Sequence, residues 1–155
     1  MSGPAGADVV RRLLEERRLQ SVPADRAAAS ALLEAAARHL DSALVVADSD
    51  PDGAYTMLYD AARKSLAALL QVQGLRATSR GGHVAVQLAI EAQFPDPPPR
   101  TAFRPFGRLR TIRNRVEYDP VSPVDSDDVR AEHAAATRMH AMAASLHSDM
   151  PPFPA

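Results

Sequence analysis

Apolar residues recur along most of this chain at the three- and four-residue spacing of an α-helix, and no run alternates as a half-buried strand does. The pattern divides the chain into six helical segments. The first, about 7–20, sets Val9, Val10, Leu13, Leu14 and Leu19 among dense charge. SVPAD breaks it, and Pro23 suits the first turn of the next helix. The second, about 24–47, carries Ala29, Leu33, Ala36, Leu40 and Leu44 on one stripe, with Glu34, Arg38 and Asp41 off it. The third, about 51–73, has the most regular period: Tyr55, Leu58, Tyr59, Ala62, Leu66, Leu69 and Val72. Asp50 is its N-cap, Pro51 suits its first position, and Gly74 stops it.

The fourth segment, about 82–94, is apolar nearly all round (Val84, Val86, Leu88, Ile90, Phe94), so it is expected to be central. PDPPP then makes a rigid extended connection. The fifth, about 101–118, carries Phe106, Leu109, Ile112 and Val116. The sixth, about 126–148, opens on Ser126 as cap with Asp127 and Asp128 in its first turn. No repeat of solenoid length is present. These elements predict an all-α single domain, a bundle of about five or six helices, with the third and fifth segments packed in it. Residues 1–23 read as an N-terminal helix and linker, 24–149 as the bundle and 150–155 as a flexible tail.

Composition narrows the chemistry. The 155 residues suffice for one core. They are 46% hydrophobic but only 5% aromatic, with much alanine, which favours closely approaching helices. The net charge is −1, so any basic site must be local. The absence of cysteine excludes disulfides, thiolate chemistry and cysteine zinc sites. No secretory signal precedes RRLLEERR, and no window approaches the ~18 apolar residues of a membrane span. A cytoplasmic protein without a membrane role is expected.

The fifth segment carries the candidate chemistry. At about 100° per residue, Arg104, Arg108 and Arg115 share an outer strip that reads as solvated. Arg110, Arg113 and Glu117 run along the border of the core stripe, with Asn114 and Tyr118 one step further round. Arg113 and Glu117, four apart, can pair; an arginine held by an acid at a core border is also how a guanidinium is aimed at phosphate.

An arginine followed by asparagine near a helix end, a few residues before a ring and a turn, resembles the HEPN superfamily of small helical bundles. YTMLYDAARKSLAALLQVQGL and GGHVAVQLAIEAQF are similar to its long helix and the helix that follows, so the resemblance covers roughly 24–148. Arg113 and Asn114 match the motif's arginine and polar residue. Tyr118 stands where the family has histidine, and Pro120 where the nucleotidyltransferase-paired subgroup usually has a second tyrosine. RNRVEY looks like a bacterial HEPN subgroup. The resemblance implies a homodimer with two motifs facing one cleft, and roles as RNase toxin, antiphage component or nucleotidyltransferase partner.

Tyrosine titrates near ~10, against ~6.5 for histidine, so Tyr118 suits contact with phosphate or a base better than proton transfer. The leading expectation is therefore a module that binds RNA or a nucleotide, or acts as a partner subunit in a toxin–antitoxin or defence-type system. Arg113, Asn114 and Tyr118 form its degenerate motif, with Arg110, Glu117 and His83 as further binding residues. An active metal-independent RNase toxin using the same residues is the alternative, and a structural helical adaptor is another.

No cofactor or metal is expected. His133, His140 and His147 are seven apart, about 10 Å along a helix, too far to share one ion. His83 follows Gly81-Gly82 at a helix start, where backbone amides can receive an anion, and is the substitute base available. GLRATSRGGH lacks the ending of a P-loop. Tyr55, Tyr59 and Phe106 read as core, and Arg63 and Lys64 as a solvated face.

Overall fold

The computed structural model describes residues 4–154. Residues 1–3 and 155, the ends of the expected N-terminal segment and tail, lie outside them. The chain folds as an all-α bundle: α1 (Ala7–Glu15), α2 (Arg26–Val46), α3 (Pro51–Gln73), α4 (Gly82–Gln93), α5 (Pro99–Phe103), α6 (Phe106–Tyr118) and α7 (Ser126–His147). Six of these are nine residues or longer, and α5 is a five-residue turn. α3 is the hub, packed against α2, α7, α6 and α4. Its limits follow from its ends. The Asp50 carboxylate accepts the Gly53 N–H at 3.0 Å, and Pro51 occupies the first turn. Gly74 closes it in the left-handed region at φ 76°. Tyr55, Leu58, Tyr59, Leu66 and Leu69 are all buried on its length. The core that surrounds them also takes in Val10, Leu13 and Leu19 from the N-terminal segment.

Four features depart from the sequence pattern. A two-stranded antiparallel ribbon joins β1 (Leu19–Ser21) to β2 (Leu75–Ala77), with Leu19 opposite Ala77 and Ser21 opposite Leu75. Three-residue strands are too short to display alternation, so the helical pattern ran over β1. The fifth segment is two helices. Pro105 has no N–H to donate back, so the run breaks between α5 and α6, and Phe103 and Phe106 enter the core from separate turns. α4 is not central: Val84 and Leu88 are each 37% exposed, because α4 is covered by α1 and α3 on one side only. The cap of α7 is Asp125, one residue earlier than expected, in a reciprocal capping box with Asp128.

The last turn of α3 leaves carbonyls without helical partners. Remote segments supply the donors: Asp25 N–H to Gln71 at 3.2 Å, Val22 N–H to Gly74 at 2.9 Å and Phe153 N–H to Gln73 at 2.9 Å. In place of a free tail, Met150 and Phe153 pack on the core, and the Arg26 guanidinium donates to the Ser148 carbonyl at 2.6 Å. Among the described residues, no helix is long and apolar enough to cross a membrane.

Candidate functional site

The start of α4 is held against the turn that follows α1. The Thr78 hydroxyl donates to the Arg17 carbonyl at 2.6 Å and accepts the Gly81 N–H at 3.1 Å, while the Thr78 N–H donates to the Arg18 carbonyl at 3.1 Å. Gly81 sits so close to that Arg18 carbonyl that a Cβ would collide with backbone. A glycine is required there for close approach, and it delivers His83 at a fixed position beside α3 and α6.

His83 meets Tyr59, which is fully buried in α3. The Tyr59 hydroxyl is hydrogen-bonded to His83 Nδ1, and the two rings lie 5.3 Å apart. Tyr59 also stacks on Phe106 at 5.6 Å, and the Arg113 guanidinium carbon lies 5.7 Å from its ring centre. Burial pushes the Tyr59 phenol up to about 12, against the pull of Arg63, Arg113 and Arg110. Burial of its tyrosine-facing edge lowers the His83 pKa from the ordinary 6.5, and Arg63 and Arg113 lower it further. Both groups are therefore neutral at pH 7.

The tautomer follows. Tyr59 has no other acceptor for its buried proton among the described residues, so its O–H donates and Nδ1 accepts. The imidazole proton then resides on Nε2. His83 keeps an exposed side, so Nε2–H is the donor available to a ligand. This side lines a shallow groove of about 300 Å³ together with Arg80, Arg110, Asn114 and the Gly81-Gly82 backbone. His83 also borders a neighbouring cavity of about 360 Å³ that contains Arg63, Arg76 and Thr78. Arg110 Nε donates to the Gln87 carbonyl oxygen at 3.3 Å, and Gln87 in turn donates to Glu91 at 3.0 Å. The guanidinium is thus aimed by a neutral amide, with no carboxylate of the described residues within 4.0 Å to cancel its charge.

The structure divides the sequence candidates. His83, Arg110 and Asn114, from two helices, share the groove. Arg113 is one residue from Asn114, about 100° round the helix, and turns toward α3. It pairs with Glu117 at 2.6 Å, and both line a different groove with Asp52 and Thr56. Tyr118 lies outside the groove lining, about 6 Å along the axis beyond Asn114. It is 77% exposed. Arg108, expected to be solvated, is half-exposed yet forks onto Glu132 through Nε at 3.1 Å and Nη2 at 2.7 Å. Glu132 also accepts the hydroxyl of buried Tyr55 at 3.1 Å, so this arginine supports a core tyrosine.

The sequence reading missed Tyr59, Gln87 and Arg80. For Tyr59 a signal existed: a phenol inside a buried stripe must find a hydrogen-bond partner. Among the described residues no cluster of His, Asp and Glu is placed to hold a metal ion. His140 and His147 instead contact the carbonyls of Leu33 and Ala144 at 2.9 and 2.8 Å. Comparison of the chain with family models, curated proteins and solved structures gives no match.

Proposed function

We propose that this chain is a HEPN-like helical module that binds RNA or a nucleotide by a phosphate group at the α4–α6 groove. In this reading it serves as a partner subunit in a toxin–antitoxin or defence-type system. The observation that carries the reading is the convergence of His83, Arg110 and Asn114 on one groove. A neutral Nε2–H donor, a guanidinium held by a neutral amide, an asparagine amide and the open backbone of a helix start are complementary to a phosphate. Arg113 and Arg63 add positive potential beside it. A metal-independent RNase needs a base at this point. His83 offers a donor there and Tyr118 an exposed phenol, which favours binding over cleavage. One groove grips little of a phosphate chain, so a twofold homodimer with the 113–118 region near its axis belongs to the proposal.

The test is fluorescence anisotropy of a labelled single-stranded RNA and of a labelled nucleotide at low salt. Wild type is expected to bind, with affinity falling as salt rises. Arg110→Ala, Arg113→Ala and His83→Gln should each weaken binding, and Arg110→Ala should reduce the salt slope by about 1. Arg115→Ala, on the outer strip, should not. Absent binding by wild type, or binding indifferent to Arg110→Ala and His83→Gln together, refutes the site. Light scattering that reports a monomer with and without RNA refutes the dimer.

A further inference from the structure

A separate cavity lies at the other end of α4, where it meets α5. Its volume is about 470 Å³, inside the ~300–1,000 Å³ range of small-molecule pockets. Its apolar wall is made by Ile90, Phe94 and Phe103, the two rings set edge to face at 5.7 Å. Ile90 and Phe103 are buried and belong to the bundle core, so this wall is rigid. The rim carries Arg100 and Arg104, one helical turn apart, with Glu91 the acid in the lining. Neither arginine has a carboxylate within 4.0 Å among the described residues. Arg100 Nη1 reaches only the Pro95 carbonyl, at a long 3.5 Å, and the Arg104 side chain makes no hydrogen bond to a described residue.

An aromatic wall accepts a flat apolar body. Two uncompensated guanidinium groups at one rim accept a planar or tetrahedral anion in fork geometry. We infer that this cavity binds a small amphipathic anion: a flat apolar body of a few fused or single rings bearing one carboxylate or phosphate. That chemistry is shared by free aromatic acids and by nucleotides, whose base would lie against half-buried Phe94. Glu91 limits the site to molecules with a single anionic head, because it repels a second.

Isothermal titration calorimetry on the full chain separates these cases, with 1-naphthoate, its neutral counterpart 1-naphthylmethanol, and uridine 5′-monophosphate as probes. Naphthoate is expected to bind at least about tenfold more tightly than the alcohol, the size of one charge-assisted hydrogen bond. The double variant Arg100→Gln/Arg104→Gln should erase that difference; both side chains are exposed, and circular dichroism verifies the fold. Glu91→Gln, which keeps an acceptor for Gln87, should tighten naphthoate severalfold. Uridine monophosphate binding that is lost in the double variant but kept in Arg110→Ala identifies a nucleotide as the occupant. Uridine monophosphate indifferent to the double variant, with naphthoate sensitive to it, identifies an aromatic acid. No heat with naphthoate at about millimolar concentration, equal affinity for the alcohol, or no effect of the double variant overturns the inference.

Discussion

Removing the Tyr59 hydroxyl tests the core of the site in a way that has a predicted sign. Tyr59→Phe keeps the ring, and with it the stacking on Phe106 and the contact with Arg113. The buried apolar surface is unchanged, so only the hydrogen bond to His83 is lost. His83 Nδ1 sits on a residue with an exposed side and can regain water. The cost is therefore that of one neutral hydrogen bond, about 0.5–1.5 kcal/mol, or about 1–6 °C in Tm for a chain of this size. His83→Ala is different. It leaves a buried phenol without its acceptor, a penalty of about 1–3 kcal/mol, in addition to the lost ring contact. Adding Tyr59→Phe to His83→Ala then removes the stranded hydroxyl and should be neutral or stabilising. Urea unfolding of the four proteins, followed by circular dichroism, gives the cycle, with an expected coupling of about 1 kcal/mol or more. If Tyr59→Phe destabilises the His83→Ala background as much as the wild type, the hydroxyl does not act through His83. The tautomer assignment then fails with it.

Other outcomes follow from the same structure. His83 and His39 both have pKa values lowered from 6.5, chiefly by burial, with Arg63 and Lys64 respectively adding to it. Their neutral forms thus stabilise the fold fully above about pH 6.5, and this contribution is lost as pH falls through the lower folded values. Urea midpoints measured from pH 7.5 down to about 5 should drop less in His39→Gln/His83→Gln than in wild type. Glu132→Ala leaves the buried Tyr55 hydroxyl without its acceptor while half-exposed Arg108 turns to water, and thermal denaturation should show a loss of about 1–3 kcal/mol, more than Tyr55→Phe at about 0.5–1.5. Tyr118 is mostly exposed, so Tyr118→Phe and Tyr118→His should change stability by less than about 0.5 kcal/mol. Under the proposed HEPN-like reading, Tyr118→His places a histidine where that family's motif has one, and it should raise cleavage of unstructured RNA above wild type in a gel assay. Phe153→Ala should cost about 1–2 kcal/mol by partial loss of burial, read from the same melts.

The long amphipathic elements were legible from sequence because period, cap and stop agreed. For α3, Asp50, Pro51 and Gly74 mark the ends that the structure has. The division at Pro105 was present in the sequence but was outweighed by a continuous apolar stripe. The β1–β2 ribbon left no pattern, since its pairing joins residues far apart in the chain. The same limit applies to the site. Arg110, Asn114 and His83 could each be named from local context. That the first two share a groove with His83, while Arg113 turns toward α3 and pairs with Glu117, depends on how α4 docks. Gln87 and Tyr59 act through partners on other helices, and one-dimensional spacing does not record them.

The closing of α3 by Val22, Asp25 and Phe153 gives the molecule an order of assembly. Synthesis releases the chain from its N-terminal end. The donors from Val22 and Asp25 precede α3 and are waiting when its last turn emerges. The donor for Gln73 lies some eighty residues later, beyond α7. A nascent chain that has already exposed α3 therefore carries one hydrated carbonyl at the hub of its bundle until Phe153 arrives. The segment after α7 supplies the last donor to the helix it covers, and a chain interrupted before Phe153 leaves the ribosome with the Gln73 carbonyl still bound to water.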